Sequence, residues 1–122
     1  MNEINYEIMR YLIQIVDTQI EAFEHMLTVL NDNDEFPAYL LIDIIDAQIS
    51  VKNNLKRIEE IIPAKIVRKF DIKIENDLLK LIGLFKDKQN QALSFTIQHE
   101  TLKIFAKWRA QLAIHFNKYI LN

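Results

Sequence analysis

The sequence predicts an all-α fold, an antiparallel up-down four-helix bundle. Three observations predict it. The 122 residues include one glycine and two prolines, too few to supply the turn that an all-β chain needs about every 8 to 12 residues. Apolar residues recur at helical spacings along four segments. Those segments match in length, at roughly 23 to 28 residues or about 35 to 42 Å, and short connections between them favour antiparallel neighbours.

The first helix is expected over about residues 3–30, on the stripe Ile8, Leu12, Val16, Phe23, Leu27 and Leu30. Met9, Ile13, Ile15, Ile20 and Met26 widen that stripe, so this helix is expected to touch two neighbours. The second is expected over 37–62, on Leu40, Ile44, Ala47, Val51, Leu55, Ile58 and Ile62, and the third over 63–85, on Ile66, Phe70, Ile74, Leu78, Leu81 and Phe85. Pro37 and Pro63 open them, since a proline at the first helical position gives up an N–H that has no intrahelical partner. The stretch Phe70–Asp71–Ile72–Lys73–Ile74 alternates like a strand, which leaves a break near Asp71 open. The fourth helix is expected over 95–120, on Ile97, Ile104, Trp108, Leu112, Phe116 and Tyr119, with Thr96 and Glu100 as an imperfect capping signal.

Composition narrows the class of protein. Half the residues are apolar and 26% are charged, as in a folded globular chain. The length fits a single domain, 1–122. The longest apolar run, 38–42, is too short to cross a bilayer. Without cysteine there is no disulfide, thiol nucleophile or thiolate metal site. A single glycine excludes glycine-rich phosphate loops. Glu3 and Glu7 stand where an export signal needs a basic start and an apolar stretch, and together with the absent cysteines this points to the cytoplasm.

The net charge of −2 conceals a division. Residues 1–62 carry 4 Lys/Arg against 12 Asp/Glu, a balance of −8, and residues 63–122 carry 11 against 5, a balance of +6. Such a split speaks to association rather than fold. It is compatible with neutralisation along helix seams, with self-association or docking onto a charged protein, and with a basic half that grips nucleic acid. The densest basic cluster is Lys65, Arg68, Lys69 and Lys73 at the start of helix 3. An anion or an acidic partner fits it, as does a solvated face of snorkelling side chains. Against nucleic acid, the only aromatic interleaved with the cluster is Phe70, which belongs to the apolar stripe, whereas stacking on bases needs exposed aromatics.

Gln19, Asp77 and Arg109 fall inside apolar arcs on a helical wheel. A buried unpaired charge costs several kcal/mol, so Asp77 and Arg109, on consecutive antiparallel helices, are expected to pair and fix register; the alternative is that Arg109 lines a pocket and binds an anionic ligand. Ile42, Ile45 and Ile49, with Leu41, form a second stripe on helix 2. Either the wide face of helix 1 covers it, or it is an exposed interface through which the chain meets a protein partner or a second copy.

No metal or cofactor signature is present. Glu21, Glu24 and His25 cluster on helix 1, but a di-metal bundle needs paired Glu-x-x-His motifs on two helices. Arg109 and His115 stand as Arg-x-x-x-x-x-His on the last helix. This resembles the helical RNases of the HEPN class, and the resemblance implies that the pair acts on the scissile phosphate of RNA. Glu100–Thr101–Leu102, followed by Phe105, Leu112, Phe116 and Tyr119, is similar to the last helix of the small helical subunit of CRISPR-type effector ribonucleoproteins, which implies contact with an RNA backbone. The residues taken together favour a non-enzymatic interaction module, such as a small adaptor, inhibitor or immunity-type binder. The alternative is an RNA-binding or RNA-cleaving helical module.

Overall fold

The computed structural model describes residues 3–120, which form an all-α four-helix bundle with no strand among them. Helix α1 is Glu3–Asn33, α2 is Ala38–Lys56 and α3 is Ala64–Lys86. The fourth rod is composite: α4, Asn90–Thr96, then a π-helical turn, Ile97–Thr101, then α5, Leu102–Phe116. No helix of the described residues is long and apolar enough to cross a membrane.

Cross-links along the rods show their antiparallel order. Asp17, Phe23 and Asp34 of α1 and its end meet Arg109, Phe105 and Asn90 in turn. Phe70 of α3 packs on Trp108 with ring centroids 5.3 Å apart, and Lys80 reaches Glu100 at 3.0 Å. α1 packs against both α2 and the fourth rod, as its wide apolar face predicts, and α3 packs against the fourth rod. α2 and α3 do not pack closely, so the fourth side of the bundle is open. At the centre, Trp108, Phe23, Phe105 and Phe116 are fully buried. Each such side chain contributes about 1.5 to 3 kcal/mol relative to exposure.

Several boundaries differ from expectation. α1 continues to Asn33, where Asp34 turns the chain at φ 51°. α2 stops at Lys56 instead of 62. Residues 57–62 tighten into turns, with Arg57 N–H and Ile58 N–H donating three residues back, and this swings Ile58, Ile61 and Ile62 into the core. Pro63 also bars Ile62 from helical geometry. α3 is unbroken through Asp71: Phe70 and Ile74 are buried while Ile72 is exposed, the pattern of one helical face rather than a strand.

The fourth rod starts at Asn90 rather than 95 and ends as regular helix at Phe116. Its π turn lies within a buried stripe. Buried Leu93, Ile97, Thr101 and Phe105 recur every fourth residue, whereas an α-helix completes the same three turns in about 11 residues. The wider turn takes up the extra residue, which keeps the stripe facing inward.

Candidate functional site

The open side between α2 and α3 is a groove. Its upper part encloses about 270 Å³ between Ile45, Ile49 and Lys52 of α2 and Ile74, Leu79 and Ile82 of α3. A lower part of about 250 Å³ continues between Lys56 and Glu59 on one side and Val67 and Arg68 on the other. Ile49 on α2 and Leu79 on α3 line it at 54% and 58% exposure, and Ile42 and Ile72, at 58% and 55%, are exposed on the same two helices. On each helix the two are separated by seven residues, so they line up along it.

The helical period explains why these residues are left outside. α2 buries Leu41, Ile44, Gln48, Val51 and Leu55 against the core, and Ile42 and Ile49 stand about 130° around from the centre of that stripe. Of the two alternatives for this stripe, cover by α1 and an exposed surface, Ile42 and Ile49 take the second, while Leu41 is buried in the core. Ile45 is half-buried at the groove wall.

Two buried polar atoms of groove-lining residues have no protein partner: Nε2 of Gln48, a donor, and Oδ1 of Asp71, an acceptor. Burial raises the Asp71 pKa, and Glu75 adds to the rise while Lys52 opposes it. The lining is electrically balanced, with Lys52, Lys56 and Arg68 facing Glu59, Asp71 and Glu75.

Gln19 is buried as predicted. Its Nε2 donates to the Ile44 carbonyl and to Gln48 Oε1, both at 3.2 Å, and so ties α1 to α2. Asp77 is also buried, but it does not meet Arg109. The Arg109 fork binds Asp17 of α1 instead, with Nε at 2.8 Å and Nη2 at 3.3 Å. Both side chains of that pair stay partly in solvent, at 40% and 44% exposure. The wheel angle of Arg109 was right but the neighbour was not: that side of α5 faces α1. Asp77 looks toward Thr101 of the π turn. The hydroxyl favours the carboxylate electrostatically, yet Asp77 Oδ2 and Thr101 Oγ1 lie outside hydrogen-bond geometry. Burial, as the larger effect, raises the Asp77 pKa.

The basic residues Lys65, Arg68, Lys69 and Lys73 are all exposed, and the Lys69 and Lys73 ammoniums lie 6.0 and 5.9 Å from the Phe70 ring centroid. This cluster shares one end of the bundle with Arg109 and His115, through the Phe70–Trp108 contact. Arg109 is committed to Asp17 there, and His115 is half-buried. Sequence reasoning missed an exposed aromatic pair. Phe95, 60% exposed, packs on His99 with centroids 4.6 Å apart. It lies toward the other end, beside Asp34 and Asn90, so the structure does not join it to the basic cluster. Among the described residues no three His, Asp or Glu side chains gather as a metal site. Compared with family models, with curated proteins and with solved structures, the chain has no match.

Proposed function

We propose that the protein is a non-enzymatic interaction module that receives a protein partner on its α2–α3 face. The observation that carries this reading is the open groove lined by exposed Ile49 and Leu79, with exposed Ile42 and Ile72 seven residues away along the same helices. Exposed apolar side chains grouped about a groove are characteristic of interfaces. An adaptor, inhibitor or immunity-type binder works through such a rigid face. Affinity capture tests the reading. A partner retained by the native protein and lost with Ile42→Asp or Ile49→Asp supports it, and a partner retained equally by both variants contradicts it.

A second reading, an RNA-binding or RNA-cleaving module, is favoured by the shared location of Lys65, Arg68, Lys69 and Lys73 with Arg109 and His115 at one end of the bundle. It requires salt-dependent RNA affinity that falls when Lys65, Arg68 and Lys69 become Ala. Cleavage would also have to be lost in His115→Ala.

A further inference from the structure

We infer that the seam between the end of α1 and the start of the fourth rod is a binding site for an uncharged sugar ring, stacked on Phe95 and hydrogen-bonded by the amides around it. The site is separate from the α2–α3 groove and does not depend on it.

The seam is a hollow of about 470 Å³, within the range of about 300 to 1,000 Å³ usual for small-molecule sites. Its walls join two kinds of chemistry. Phe95 presents a ring that is 60% exposed and packs on His99 with centroids 4.6 Å apart. An aromatic face is electron-rich, so it attracts the polarised C–H groups on the flat side of a pyranose. Around the ring stand the side-chain amides of Asn31, Asn90, Gln91 and Gln98, with the Asp34 carboxylate. Each amide offers two donors and an acceptor oxygen, the mixed set that neighbouring hydroxyls require.

The polar wall is held in place before any ligand arrives. Asn90 Nδ2 donates to the Asp34 carbonyl and to Asp34 Oδ1, and Ser94 Oγ donates to Asn31 Oδ1. These bonds leave Asp34 Oδ2, Asn90 Oδ1 and Asn31 Nδ2 with no protein partner among the described residues. Such ordering lowers the entropic cost of binding. A sugar hydroxyl that donates to the carboxylate makes a charge-assisted bond. Gln98 and His99 lie on the π turn, a rare geometry that recurs at functional sites.

Charge selects the class of ligand. No Lys or Arg lines the hollow, and Asp34 repels anions. A nucleotide also stacks on exposed aromatics, but its phosphate finds no cation here. An uncharged polyhydroxylated ring matches both the aromatic face and the amides. The hollow is open to solvent, so dissociation is expected at about 1 to 10 mM.

NMR of the isotope-labelled full chain tests the inference, read through the side-chain amide signals of Asn31, Asn90, Gln91 and Gln98. The probes are the methyl glycosides of glucose, galactose and mannose, and N-acetylglucosamine, each to about 50 mM, with uridine monophosphate as the contrast. The expected result is saturable shifts of these amides with at least one sugar and little movement elsewhere. Phe95 is more than half exposed, so Phe95→Ala leaves the fold intact, with circular dichroism as the control. That variant is expected to weaken binding about tenfold, and Phe95→Trp to restore it with a larger face. Asp34→Asn, which keeps the shape of the side chain, is expected to weaken binding about threefold. No saturable shift with any of the sugars overturns the inference, and so does binding indifferent to Phe95→Ala. Shifts of the same amides by uridine monophosphate at lower concentration than by any sugar overturn the sugar in favour of a base.

Discussion

Gln19 donates its side-chain amide to Gln48 at 3.2 Å across the α1–α2 seam, joining two residues that are 2% and 6% exposed. The contact holds two helices in register but satisfies only half of each amide: Gln19 Oε1 and Gln48 Nε2 lack partners. Removing one member leaves the other's oxygen or nitrogen buried alone. Gln19→Ala is therefore expected to cost about 2 kcal/mol in urea unfolding. The double change of Gln19 and Gln48 to Leu removes both partners and is expected to cost less than Gln19→Ala, because apolar replacement of a whole buried pair can be nearly neutral.

Asp77 gives a pH signature. Its pKa lies above the ordinary 3.8, chiefly through burial. The folded state then binds the proton more tightly than the unfolded chain, so this carboxyl's destabilising effect is greatest above its raised pKa and disappears as the pH falls below about 4. Asp77→Asn is expected to stabilise the protein by about 1 kcal/mol at pH 7, with the advantage gone near pH 3.5 or so. Denaturant titrations of both proteins at the two pH values check this. An advantage unchanged by pH contradicts it.

The end of α3 carries its glycine in the wrong place for stability. Gly83 is helical, and a Cβ added there meets nothing within 4 Å. Five residues on, Lys88 closes a Schellman turn at φ 55°, with Gln89 N–H donating to Leu84 and Lys88 N–H to Phe85. Gly83→Ala and Lys88→Gly are each expected to raise stability by about 0.5 to 1 kcal/mol, additively, as read by thermal unfolding.

The Arg109–Asp17 pair is bidentate but sits partly in water. A double-mutant cycle with both residues changed to Ala is expected to give a coupling of about 0.5 kcal/mol that fades at high salt. A coupling above about 2 kcal/mol would mark the pair as a buried anchor instead.

The rods themselves were legible because each apolar stripe repeats at helical spacing and Pro37 and Pro63 punctuate the chain. The π turn was not legible, because the same fourfold spacing recurs at Ile104, Trp108, Leu112 and Phe116 within regular helix. The start at Asn90 was not legible, since its side chain is held by Asp34, a residue distant in sequence. Nor was the partner of Arg109. A wheel fixes the direction of a side chain but not which helix lies in that direction. The groove was half legible. Ile42, Ile45 and Ile49 stand out on α2 as a second stripe, whereas Ile72 reads as part of a strand-like alternation and Leu79 falls off the expected stripe of α3.

The most direct test of the α2–α3 face as the functional surface is photo-crosslinking in the native cells from single exposed apolar positions. Ile49 and Leu79 probe the groove, and Ile4 and Ile114, 55% and 57% exposed, probe surface elsewhere. Protein adducts at 49 and 79, and none at 4 and 114, are predicted. Adducts concentrated at 4 or 114, with 49 and 79 silent, would contradict the account.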